Sequence, residues 1–156
     1  MKGRDDVEAV GAKPIVKEVR IDASPETVFE FFTDPDKLTR WLASEATLDP
    51  RPGGINHQTH PGDAANPGGP YYMRGEFVEV SPPSRVVFTW GFENSDVGVD
   101  PGASTVEVTL APDGDGTRLR LVHRDLPESE RSPHDGGWDE MLGRLAIAAT
   151  GGDPDA

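Results

Sequence analysis

The chain has 156 residues, long enough for one domain whose core needs no metal or disulfide staple. Its 28 acidic against 15 basic residues leave a formal charge of -13, which repels a phosphate backbone and an anionic bilayer alike and excludes nucleic acid and membrane as partners. The absence of cysteine removes disulfides, thiolate nucleophiles and cysteine-held zinc or iron-sulfur centres, and it leaves a soluble cytoplasmic protein as the expectation.

Residues 1–13 mix charge with small residues, show no period and read as a flexible arm, with no apolar run that would serve as a signal or a membrane span. From Pro14 to Ile21, the residues Ile15, Lys17, Val19 and Ile21 alternate with Val16, Glu18 and Arg20, the period of a half-buried strand. Ser24-Pro25-Glu26 follows the grammar of a cap and a first helical position, and Val28, Phe29, Phe31 and Phe32 make a short apolar helix that ends by Thr33. Asp34-Pro35 caps a second short helix carrying Leu38, Trp41 and Leu42.

From Ala43 onward, short alternating runs separated by Pro and Gly predict an antiparallel meander, with strands over 44–48, 55–60, 71–80, 85–92, 104–110 and 117–123. Tight turns are marked by Arg51-Pro52-Gly53-Gly54, by Ser81-Pro82-Pro83-Ser84 and by the Asp-Gly pairs of 112–116. The longer connections 61–70 and 93–103 are surface loops or the rim of a binding site. Last comes a helix over 132–150, capped by Ser132 with Pro133 behind it and stopped at Gly151-Gly152, before a flexible tail over 151–156. Its stripe of Trp138, Met141, Leu142, Leu145 and Ala148 or Ala149 requires a sheet to lie against.

The runs IDASPETVFEFFTDPDKLTRWL (21–42), GEFVEVSPPSRVVFTW (75–90), STVEVTLAPDGDGTRLRLVH (104–123) and GGWDEML (136–142) carry a resemblance. In this order, with the Pro-Gly-Gly of 52–54, the chain from about 14 to 150 resembles the family of the activator of heat-shock-protein-90 ATPase, within the START-like (SRPBCC, Bet v-like) helix-grip superfamily. The resemblance implies an α+β fold: a seven-stranded antiparallel sheet wrapped round a long C-terminal helix, two short helices after the first strand, and a cavity between sheet and helix. It further implies binding of small hydrophobic, lipid-like or polyketide-like molecules, with cyclase, dehydratase or hydrolase chemistry in some relatives. Contact with a stress-response chaperone is a third class; the thirteen residues before the first strand are too few for the separate N-terminal region that provides the chaperone activator's main stimulating contact.

Alternation predicts which side chains face the helix: Thr117, Leu119, Leu121 and His123 on the last strand, Val106, Val108 and Leu110 before it, and Val86, Phe88 and Trp90 earlier. The third strand departs from the family pattern, with Asn56, Gln58 and His60 where bulky apolar residues usually alternate. In one register these three form a polar stripe in the pocket; in the other, Ile55, His57 and Thr59 point inward, and a strand that ends early leaves both His57 and His60 in solvent. Buried amides and an imidazole must be paired with each other or with a polar ligand group. His57 and His60, with Asp63 beyond, could hold one ion only if the chain turns at Pro61-Gly62, because residues three apart on a strand face opposite ways; no second ligand cluster is marked, and no metal and no cofactor is expected. Glu79 is placed to pair with Arg85.

The sequence therefore predicts a cavity for a small apolar or amphipathic molecule. Asn56, Gln58 and His60 meet its polar end, and Trp41, Phe77, Phe88, Trp90, Met141 and Leu145 wall its apolar end. In the enzyme reading His60 or His123 is the general base. The protein is expected to be a monomer or a homodimer.

Overall fold

The computed structural model describes residues 13–62, 64 and 66–156, so the expected N-terminal arm lies almost wholly outside the described residues. Its elements are β1 (Ile15–Ile21), α1 (Pro25–Thr33), α2 (Pro35–Leu38), β2 (Glu45–Leu48), β3 (Ile55–His60), β4 (Tyr71–Ser81), β5 (Arg85–Trp90), β6 (Ser104–Asp113), β7 (Gly116–Arg124) and α3 (Glu128–Ala149). All strand pairs are antiparallel, and the seven strands form one sheet in the order β1-β7-β6-β5-β4-β3-β2. The meander from β2 to β7 leaves each strand beside its sequence neighbour, and β1 closes on β7. No helix among the described residues is long and apolar enough to cross a membrane.

Local chemistry accounts for the first helices. Ser24 Oγ accepts the Thr27 N–H at 3.2 Å while Pro25 supplies the preset first position. Asp34 ends α1 and caps α2, its Oδ1 accepting the Asp36 N–H at 2.9 Å. The second helix is shorter than its apolar spacing predicts. It stops at Leu38, and Trp41 and Leu42 sit on the turns that follow, bonded back to Leu38 O at 3.3 and 3.0 Å.

The inner face of the sheet follows alternation. Val106 lies opposite His123, Val108 opposite Leu121 and Leu110 opposite Leu119, while Val86 and Phe88 continue the row on β5; all are buried. The hairpin β6–β7 runs further than its turn signals predict, closing at Asp113 opposite Gly116 with Gly114 at φ +61° in the connection.

The sheet bends at β4. Its ladder to β5 is regular at Phe77 opposite Phe88, but a bulge follows between Phe77 and Glu79, and on the other side Glu76 N–H is taken by Thr89 Oγ1 at 2.9 Å. Gly75 permits this approach, since a Cβ there would stand 2.1 Å from Thr89 O. β3 and β2 continue the sheet beyond the bend.

α3 begins at Glu128, ahead of the predicted Ser132 start, with Pro127 at the cap position and Pro133 inside the helix. Glu128 and Glu130 in the first turn favour the positive end of the helix dipole, and Pro133, one turn on, has no N–H to offer Ser129 O. The helix buries Gly137, Trp138, Leu142, Leu145, Ala148 and Ala149 against the sheet and α1. Lys17 on β1 bridges Asp135 and Asp139 along the helix flank. Arg144 Nε bonds Trp41 O at 3.0 Å and holds the helix to the turn after α2.

Candidate functional site

The β3 register points Asn56, Gln58 and His60 to the inner side, with Asn56 and Gln58 fully buried, and leaves Ile55 exposed on the other. The three side chains bond in sequence. Gln58 Nε2 donates to Asn56 Oδ1 at 2.8 Å, and Gln58 Oε1 lies 2.7 Å from His60 Nε2. With the amide so oriented, Nε2 of His60 carries the proton and Nδ1 keeps its lone pair. Asn56 Nδ2, at the far end, is a buried nitrogen without a partner among the described residues. Burial first, and the neighbouring His134 second, push the His60 imidazole down to about 3, so it is neutral at physiological pH.

Beside His60 stands a cluster built on Trp90. Its ring centroid lies 5.3 Å from His60, 5.7 Å from Phe92, 5.6 Å from His123 and 5.2 Å from Trp138. Indole N–H groups set the tautomers of two histidines. Trp138 Nε1 donates to His123 Nδ1 at 3.0 Å, so His123 Nε2–H donates to Ser104 Oγ at 2.9 Å, and Ser104 in turn donates to Trp90 O at 2.7 Å. Trp90 Nε1 donates to His134 Nε2 at 3.2 Å, leaving His134 Nδ1–H for Glu130 O at 2.9 Å. Burial, reinforced by His134, holds His123 well below the usual imidazole range.

Between the sheet's bent side and the N-terminal half of α3 opens a cavity of about 600 Å³. Trp41, Trp90, Phe92, Trp138 and Met141 give it an aromatic and apolar wall, and His60 reaches it from the end of β3. Its rim comes from both long connections, through Pro61, Gly62 and Asn66 on one side and Asp96 and Val97 on the other. The polar lining includes Glu130, His134, Glu140 and Arg144 of α3, and Asp155 beyond it.

Of the predicted site residues, the fold brings Trp41, His60, Trp90 and Met141 to this cavity. Five others do not line it. Asn56 and Gln58 are sealed behind His60 as its supports, and Phe77, Phe88 and Leu145 belong to the close-packed core deeper along the sheet and helix. His123 is also off the lining, with both ring nitrogens engaged. It orients Trp138 and has no free nitrogen for a substrate proton. His60 has a free lone pair, but an imidazole this weakly basic is poorly matched to general-base work near neutral pH.

His57 stands on the opposite face of β3, where burial and then the Arg74 charge lower its pKa. Among the described residues no group of three or more side chains is arranged to hold a metal ion, and Asp63 lies outside them. Glu79 pairs with Arg85 at 2.9 Å on the outer face, and this contact, with Ser81, holds its carboxyl below the usual range.

The lining residues that sequence reasoning missed lie mainly on α3. Glu130, His134, Gly137 and Arg144 fall with the predicted Met141 at spacings of four, three, four and three, one stripe of a helix. Glu130 joins that stripe only once the helix starts at Glu128, while the other positions already lie within the predicted helix.

An antiparallel sheet curled round a C-terminal helix, with an apolar-walled cavity held between them, defines a helix-grip protein. The chain belongs to the family of Activator of Hsp90 ATPase homolog 1-like proteins, whose family model matches residues 22–150. An AHSA1-like protein from Rhizobium etli is similar at 38% identity and a TM-score of 0.69, covering 92% of this chain and 86% of that one. DynU16, a protein of the dynemicin biosynthetic locus, is 26% identical with a TM-score of 0.73, covering 92% of this chain and 49% of its own. A Dictyostelium discoideum protein, the "Activator of 90 kDa heat shock protein ATPase homolog", is 25% identical over 135 residues, or 83% of this chain. The chain spans about a third of that relative's length, 32%.

Proposed function

We propose that this protein binds a small, largely apolar molecule bearing a polar group, in the cavity between the sheet and α3. The observation that carries this reading is the cavity itself: about 600 Å³ walled by Trp41, Trp90, Phe92, Trp138 and Met141, the size and lining of a small-molecule site. His60 Nδ1, without a hydrogen-bond partner among the described residues, is the acceptor for the ligand's polar end, and the buried Asn56–Gln58 chain fixes its ring. The likeness to DynU16 supports the reading, because a biosynthetic locus handles small organic molecules. Binding without turnover is favoured over general-base chemistry by the low basicity of His60 and the spent nitrogens of His123. We place the protein in the cytoplasm, where a cysteine-free chain has nothing to lose to reduction.

Native mass spectrometry of freshly purified protein, followed by thermal shift with lipid-like and polyketide-like compounds, tests this. A ligand at about a hundred times its Kd adds about 2.7 kcal/mol to stability, a rise in Tm of several degrees. Silence across a broad panel sinks the proposal. The name of the Dictyostelium relative favours a second reading, contact with a chaperone ATPase. Sedimentation of the two proteins together at micromolar concentration decides it, a single unshifted peak for each ruling contact out.

A further inference from the structure

The cavity's hydrogen-bonding inventory specifies which ligand it accepts, an inference that rests on the cavity being a ligand site. Its side-chain donors are committed apart from Nη2 of Arg144. The indole N–H groups of Trp41, Trp90 and Trp138 go to Phe31 O at 2.9 Å, His134 Nε2 at 3.2 Å and His123 Nδ1 at 3.0 Å. The Tyr71 hydroxyl donates to Pro67 O. Arg144, the one Lys or Arg on the lining among the described residues, directs Nε to Trp41 O at 3.0 Å and Nη1 to the Asp155 carboxylate at 2.8 Å.

Acceptors are in surplus. His60 contributes the Nδ1 lone pair, and Glu130, Glu140 and Asp96 add three carboxylates besides the one that neutralises Arg144. A carboxylate offers about four lone-pair sites. Glu130 takes the Gly98 N–H at 3.4 Å and lies 3.7 Å from His134 Nδ1, and Glu140 takes the Ala64 N–H at 3.2 Å, contacts that leave most of their acceptor capacity open. A ligand carboxylate or phosphate here finds as spare donor Nη2 of an Arg144 already neutralised by Asp155, set against several like charges.

We propose that the cavity selects a cationic amphiphile, an aromatic or other apolar body carrying a protonated amine, and rejects carboxylates and phosphates of the same shape. The body stacks among Trp90, Phe92 and Trp138, whose ring faces also attract a cation, and the ammonium meets Glu130, with Glu140 further along the helix adding to the negative field. The overall charge of -13 draws such a ligand in and repels the anion.

Three probes with one body and different heads test this by calorimetry on the full chain: naphthylethylamine, naphthylethanol and naphthylacetate. The amine is expected to bind about tenfold more tightly than the alcohol at low salt, with the acetate weakest and the amine's advantage shrinking as salt rises. Glu130→Gln with Glu140→Gln should bring the amine to the level of the alcohol while alcohol affinity and circular dichroism stay as they were. If that pair fails to fold, Asp96→Asn, at an exposed loop position outside the helix, should cost the amine alone about threefold. An alcohol or acetate that binds wild type as tightly as the amine overturns the charge selection and leaves the binding site standing. No binding by any probe at millimolar concentration overturns both.

Discussion

Three histidines within one aromatic cluster have separate jobs, set by what each ring nitrogen touches. His123 is a buried connector: its Nδ1 satisfies the Trp138 indole and its Nε2 the Ser104 hydroxyl. Removing it strands both groups and leaves a hole, so His123→Ala is expected to lose about 2–4 kcal/mol in urea unfolding. A loss under about 1 kcal/mol would deny it that role. Gln58 joins two hydrogen bonds and Asn56 one, with the Asn56 Nδ2 donor already unsatisfied. Gln58→Met should therefore destabilise by about 1 kcal/mol more than Asn56→Leu, because it orphans both Asn56 Oδ1 and His60 Nε2. Equal losses in chemical denaturation would break the chain of support assigned to β3.

At the scale of elements, α3 carries both packing and lining residues on one helix, and its sequence is not that of an optimal helix. It contains Pro133 and an exposed Gly143. A Cβ at Gly143 meets nothing within 4 Å, and the position lies deep in the helix. Gly143→Ala should stabilise by about 0.5–1 kcal/mol through reduced backbone freedom in the unfolded chain, seen as a higher Tm with unchanged ligand affinity. Gly75 is the opposite case, since a Cβ there would collide with Thr89 O at 2.1 Å. Gly75→Ala should destabilise by about 2 kcal/mol or more and weaken binding, because Gly75 lies opposite Asn56 in the β3–β4 ladder that holds the strand of His60. Retention of full Tm by this variant would show that the sheet bends for another reason.

For the whole molecule, the lowered imidazoles link stability to pH. His60 binds its proton at about 3 in the fold and near 6.5 when unfolded, and His123 is lowered in the same direction. Below 6.5 the unfolded chain therefore takes up protons that the fold refuses, so stability is complete above that value and falls as pH drops toward about 3. His60 alone accounts for a loss on the order of 3 kcal/mol between about pH 7 and about pH 4. The depressed Glu79 carboxyl acts in the same sense. Urea midpoints measured across this range should fall steeply below about pH 6, and a flat profile would contradict the burial of both rings as neutral species.

Sequence by itself determined the order of elements, the antiparallel class and the inward faces of β5, β6 and β7, because alternation and turn chemistry are local and the core rewards only one register. It also named Trp41, His60, Trp90 and Met141, large or polar side chains at positions whose period aims them inward. Only the tertiary structure decided where packing stops and cavity begins. Phe77, Phe88 and Leu145 obey the same period as the lining residues yet end in solid core, since alternation gives a side chain's face and not its distance from a void. Glu130 stayed hidden for a related reason. Pro133 reads locally as a helix start, whereas α3 runs through it, and the turn before it, held in the fold against the 93–103 loop through Glu130, adds that carboxylate to the polar wall.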